Sequence, residues 1–147
     1  MPNWVEVYFS ATGSAEDIER FVHENMGYPA TFREDWGEGG KEPNFTEKYL
    51  CFNALMPVPK EVREYGYNPK DGDARGKDGY TWCMDNWGCK WDIYSSTIDL
   101  PSLGWSKGAT EISAYFLTPW SPPWGWIEQL NKTYPDIRFV FVNLPDE

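Results

Sequence analysis

The first 27 residues read as one strand and one helix joined by a capped turn, and this pair limits the fold more than any other feature. Val5, Val7, Phe9 and Ala11 alternate with Trp4, Glu6, Tyr8 and Ser10, the period of a strand with one face on a core. Gly13 breaks the alternation. Ser14 then stands as a helix N-cap, with Glu16 and Asp17 in the first turn, where the helix dipole favours negative charge. Ile18, Phe21, Val22 and Met26 follow at helical spacing, and Gly27 supplies a stop.

The C-terminal third holds two more strands around a second helix. Ile112, Ala114 and Phe116 alternate with Ser113, Tyr115 and Leu117 over residues 110–117. Ser121 is predicted to cap the helix, with Pro122 and Pro123 in its first turn, where a missing N–H is harmless. Ile127, Leu130 and Tyr134 mark its inner face, and Pro135 ends it. Ile137, Phe139 and Phe141 then alternate with Arg138, Val140 and Val142.

Between these ends the pattern is less regular. Residues 28–48 combine Gly, Pro and mixed charge and read as a long loop. Residues 49–55 read as a short strand ended by Pro57-Val58-Pro59, and 60–64 as one helical turn. Residues 66–79 are turn chemistry and the best place for a mobile excursion. Residues 80–86 read as a short helix closed by Gly88, 91–98 as a strand, and 101–108 as a connection. The order β-α-(β with insertions)-β-β-α-β predicts an α+β chain with a mainly antiparallel sheet and two helices on one face. That is the split βαβ, or ferredoxin-like, plait. It would form one unit over residues 1–147, with insertions at about 28–48 and 56–88.

Leu, Ile, Val and Phe supply just under a fifth of the chain, and the net charge is −10, figures that by themselves suggest disorder. The missing apolar mass is aromatic: 9 Trp and 9 Tyr join 8 Phe. Each ring buries about 150–250 Å², so a ring-filled core is expected. One histidine, His23, leaves almost no material for His-based catalysis or His-rich metal sites. Abundant carboxylates without a second marker nominate no acid–base pair. No catalytic residue, metal site or cofactor is therefore expected. Cys83 and Cys89, six apart, and the distant Cys51 read as buried free thiols in a reducing compartment. The start has no basic segment followed by an apolar one, and no apolar run spans a bilayer. A cytoplasmic protein without membrane contact is expected, which makes the sequons at Asn44 and Asn131 chance matches. The 13 basic residues are scattered, which disfavours a nucleic-acid groove. The acidity suits solubility or a basic partner.

Two motifs concentrate polar and aromatic groups. In Asp85-Asn86-Trp87-Gly88-Cys89-Lys90-Trp91-Asp92, two Trp residues flank a lysine, which places a cation near ring faces. The cluster suits a recognition surface, with Asn86, Trp87, Lys90, Trp91 and Asp92 as candidates. The residues favour the other reading, a helix-to-strand turn with Gly88 at positive φ. Thr118-Pro119-Trp120-Ser121-Pro122-Pro123-Trp124-Gly125-Trp126 holds three Trp and three Pro in nine residues. It reads as a rigid strand-to-helix corner or as a display of Trp120 and Trp124 for stacking on a ligand or peptide.

Several segments in order resemble one family. They are the opening Met1-Pro2-Asn3-Trp4, the run Phe52-Asn53-Ala54-Leu55-Met56-Pro57-Val58-Pro59, the Asn86–Asp92 turn, Thr118-Pro119-Trp120-Ser121-Pro122-Pro123 and the helix end Tyr134-Pro135-Asp136. Together they are similar to the Api92-like (YubB-like) small proteins of bacteriophages and plasmids. Val5 and Cys89 depart from the family's usual Cys and Thr, and residues 28–48 have no clear counterpart. The resemblance implies a ferredoxin-like domain and an accessory protein of a mobile element; it carries over no activity and no site residue. The expected function is non-enzymatic binding of a host protein, such as a basic defence or nucleic-acid-processing enzyme inside the bacterial cell. The alternative is a small-ligand or single-strand binder using exposed tryptophans.

Overall fold

The computed structural model describes residues 3–73, 76–93 and 97–145, with the side chains of 144 and 145 left aside. In chain order the elements are β1 (Trp4–Thr12), α1 (Ala15–Asn25), β2 (Met26–Gly27), a 3-10 turn (Arg33–Asp35), β3 (Tyr49–Leu50) and α2 (Phe52–Leu55). Then come α3 (Lys60–Tyr65), α4 (Gly79–Asn86), β4 (Glu111–Pro119), α5 (Trp124–Thr133) and β5 (Arg138–Pro145). The chain is α+β, with antiparallel pairing throughout the described strands.

The sheet runs β4-β1-β5, so the first strand lies between the last two. Its register sets Tyr8 opposite Tyr115 on one side and Val142 on the other. Val7, Phe9 and Ala11 point into the core with Ile112, Phe116, Phe139 and Phe141. Phe21 of α1 and Trp126 of α5 both meet Phe9 edge-on, at centroid distances of 6.3 and 5.9 Å. Both long helices therefore cover the same face of β1. Ring-on-ring contacts continue outward from there, with Trp126 on Phe52 at 4.9 Å and Phe52 on Trp87 at 5.7 Å. These edge-to-face and tilted contacts are favourable for quadrupolar rings. The aromatic core expected from the composition is the one observed.

The N-terminal pair forms as read as far as Asn25; Met26 and Gly27, read as the helix's last core position and its stop, form β2 instead. Ser14 Oγ accepts from the Asp17 N–H at 3.1 Å, and Ile18, Phe21 and Val22 are buried. α3 and α4 also occur, α4 with a cap that is clear in the structure: Asp78 accepts from the Thr81 N–H at 2.8 Å. Residues 66–79 leave and return at one point, where Gly79 N–H donates to the Gly66 carbonyl and Tyr80 N–H to the Tyr67 carbonyl. The loop 28–48 is pinned: the Glu34 carboxylate accepts from Tyr67 N–H at 2.8 Å, and Arg63 pairs with Glu42.

Three expectations are corrected. Residues 49–55 are not one strand: pairing stops at Leu50, and Phe52–Leu55 is a helical turn. Its first N–H groups are taken by Asp92, 40 residues away, a partner no local pattern reveals. Residues 91–93 and 97–98 are irregular and not strand, and 94–96 lie outside the described residues. In that region Ser113 on the outer edge of β4 donates to the Leu103 carbonyl at 3.0 Å, a single bond in place of a ladder. Ser121 does not cap α5, whose helical residues begin at Trp124, after both prolines.

Candidate functional site

The two tryptophan motifs, some 30 residues apart in sequence, form one corner. Its hinge is the start of α5. The Trp87 carbonyl accepts from the N–H groups of Gly125 and Trp126, at 3.0 and 3.3 Å. It satisfies two of the donors that every helix N-terminus leaves open. Ser121 acts elsewhere: its hydroxyl donates to the Gly88 carbonyl at 2.6 Å, tying the corner to the turn a second time. Gly88, at φ 89°, makes the turn and passes so close that an added Cβ would lie 2.8 Å from the Trp124 nitrogen.

The proline-rich corner fixes its backbone by short bonds. Ser121 N–H bonds the Pro119 carbonyl and Trp124 N–H the Pro122 carbonyl, each closing a three-residue turn, at 2.8 Å. Trp120 sits inside the first of these at φ 67°, the only non-glycine residue at positive φ among the described residues. Its N–H also reaches the Asn3 carbonyl. A β-carbon in this region costs about 1–2 kcal/mol, and such strained positions cluster at binding and switch sites.

The seven residues singled out from the sequence separate into two groups. Trp120 and Trp124 project from the corner, 58% and 57% exposed. The Lys90 ammonium lies 3.4 Å from the centre of the Trp120 ring, with the Tyr80 ring 5.9 Å away on α4. The Tyr67 hydroxyl holds the Lys90 carbonyl at 2.7 Å, so the lysine backbone is fixed as well. Trp91 is half-buried and meets Trp4 edge-on at 6.0 Å. Lys90, Trp120 and Trp124, flanked by Tyr80 and Trp91, make up the exposed part of the site.

Asn86, Trp87 and Asp92 build the support instead. Trp87 is sealed in the core, its indole N–H donating to the Met56 carbonyl at 3.0 Å. Asn86 donates to the Trp82 carbonyl at 2.9 Å, and its own carbonyl oxygen fills the space beside Gly125. Asp92 accepts from Phe52, Ile93 and Asn53 N–H groups at 2.8, 2.8 and 3.1 Å. Burial pushes its carboxyl up to about 6 against the pull of those three donors. Its two oxygens, taking the Phe52 and Asn53 N–H groups, serve as the cap of α2.

Tyr80 was not foreseen as part of the site, because it reaches Lys90 from another element. The outer sheet face was missed too. Tyr8, Tyr115, Val140 and Val142, each 41–48% exposed, stand together there. Its signal was present, since β1 and β5 carry apolar residues on the solvent-facing phase of their alternation.

Cys51, Cys83 and Cys89 are buried free thiols; burial lifts Cys51 to about 12 and pushes the other two higher still. Among the described residues no group of three or more His, Cys, Asp or Glu is placed to hold a metal. A cavity of about 200 Å³ behind the corner, lined by Phe32, Cys83, Trp87, Trp91 and Asp92, is smaller than the roughly 300–1,000 Å³ of ordinary ligand sites.

Residues 90–142 match the family model described as the ferredoxin-like domain in Api92-like protein. This stretch is similar to the ferredoxin-like domain of Api92-like proteins. The matched segment starts at Lys90 and runs through β4, the corner, α5 and β5 to Val142, so it contains Lys90, Trp120 and Trp124. Strand β1, which the sheet places between β4 and β5, lies outside it. No curated protein and no solved structure matches the chain. No helix among the described residues is long and apolar enough to cross a membrane.

Proposed function

We propose that this chain is a non-enzymatic accessory protein of a bacteriophage or other mobile element, acting in the host cytoplasm by docking onto a basic host protein. Its contact surface is the corner of Lys90, Trp120 and Trp124. The observation that carries this reading is Trp120. A large apolar ring is held in solvent by a strained backbone, two prolines and a cation, although a glycine would relax the turn. Strain kept at an exposed aromatic is expected where the ring makes contacts in a complex. The net charge of −10 supports a basic partner through electrostatic steering, and a protein occupying a nucleic-acid channel is one form this takes.

The underlying scaffold is read as a split βαβ plait. The order β4-β1-β5 and the packing of α1 and α5 on one face support it, with the place beside β4 taken by the 99–104 turn region in lieu of a full edge strand.

The test is affinity capture from bacterial lysate with the wild-type chain and with the double variant Trp120→Ala/Trp124→Ala. A basic protein is expected to be enriched by the wild type, to be released as salt rises, and to rebind when purified. Loss of two interface tryptophans at about 2 kcal/mol each reduces binding by roughly a thousandfold, so the double variant should retain almost none. Equal capture by both proteins, or no enriched protein at low salt, contradicts the reading. Saturable quenching of tryptophan fluorescence by single-stranded oligonucleotides, lost in the same variant, would favour the stacking alternative instead.

A further inference from the structure

We infer that the outer face of the β4-β1-β5 sheet is a self-complementary surface on which a second copy of this chain docks about a two-fold axis running along β1. The face carries no covering element among the described residues. Tyr8 and Tyr115 pack together there at 4.6 Å, beside Val140 and Val142, over a shallow depression of about 410 Å³. The Tyr115 hydroxyl donates to Glu6 at 2.9 Å, which orders the pair.

The register identifies the occupant. The last outward row holds Glu111 on β4, Thr12 on β1 and Arg138 on β5, all three exposed. A two-fold axis along the central strand sets every row over itself and exchanges the outer strands. It therefore brings Glu111 of each copy opposite Arg138 of the other, twice per dimer. The same operation lays Tyr115 over Val142 and Tyr8 over Tyr8. An axis across the strands would match each edge strand with itself and separate these charges. Sheets pack face to face with strands within about 30° of alignment, so the arrangement is sterically ordinary. A nucleic acid is the poorer fit: two of the three charges on this face, Glu6 and Glu111, are negative and would repel phosphate.

Three strands of up to nine residues give a face of roughly 15 Å by 30 Å. That lies below the roughly 800 Å² per partner of a standard interface, so the dimer is weak and reversible. Glu6 meets its own copy near the axis, a like-charge contact that weakens the dimer further.

Sedimentation equilibrium on the full chain from about 10 μM to 1 mM tests this, spanning the range where weak association appears. The expected result is a shift from monomer to dimer mass. Glu111→Arg and Arg138→Glu, each placing like charges opposite one another twice, should weaken association about tenfold. The double exchange should restore it, and Glu6→Gln should tighten it. All three positions are exposed or half-buried, and thermal melts check that each variant is folded. A chain that stays monomeric throughout overturns the inference. So does a dimer indifferent to the charge exchange, or saturable oligonucleotide binding that is lost in Tyr8→Ala.

Discussion

Replacing Gly125 with alanine is expected to destabilise the fold by about 3–4 kcal/mol, or a fall in melting temperature of roughly 10 °C for a chain of this length. Two effects oppose each other at this site. Alanine is the better helix former by about 1 kcal/mol, so on propensity alone the change in α5 would stabilise. The added Cβ, however, would lie 1.9 Å from the Asn86 carbonyl oxygen and 2.8 Å from its carbonyl carbon. Backbone cannot yield as a flexible side-chain end can. The 86–92 turn has to move, which breaks the bonds from Gly125 and Trp126 to the Trp87 carbonyl. Each is worth about 0.5–1.5 kcal/mol, and a buried unpaired group adds to the loss. Thermal or urea unfolding reads the sign directly. A neutral or stabilising Gly125→Ala would mean that the two motifs do not touch.

The second large effect is Trp126→Ala, expected to cost about 3–5 kcal/mol, a substantial share of the 5–15 kcal/mol that holds a typical domain. Trp126 is fully buried and touches rings of four elements: Phe9, Phe52, Phe116 and Phe141, at 5.9, 4.9, 6.2 and 6.4 Å. Its indole N–H has no hydrogen-bond partner among the described residues, so part of its burial is unfavourable. Trp126→Phe removes that orphan donor and keeps most of the apolar area. It should therefore cost less than about 1.5 kcal/mol. Urea unfolding of the two variants side by side checks the difference. Equal losses would show that the indole nitrogen, and not ring packing, holds the position.

The fold was legible where a period repeats over several residues. β1, α1, β4 and β5 follow alternations or helical spacings long enough to outweigh neighbours, and Ser14 caps α1 from its own sequence position. It was illegible where the deciding partner is distant. Residues 51–55 are a short apolar run that periodicity cannot assign, and the Asp92 carboxylate decides for a helical turn. Ser121 looked like a cap because the residues after it are good first-turn residues, yet the Trp87 carbonyl takes that role from another element. The site divides in the same way. Trp120, Trp124 and Lys90 stand in motifs dense enough to notice. Which rings face solvent depends on the contact between Gly125 and Asn86, which no single motif contains. Trp87 and Trp126, chemically equal to Trp120 and Trp124, lie on the inner side of that contact.

Labelling the nine tryptophans with fluorine and titrating a soluble paramagnet, with each resonance assigned by single substitution, tests this division most directly. The resonances of Trp120 and Trp124 should broaden strongly, those of Trp87 and Trp126 should stay sharp, and Lys90→Met should shift Trp120 alone among these four. Protection of Trp120 and Trp124 equal to that of Trp87 would contradict an exposed aromatic corner built on a buried aromatic core.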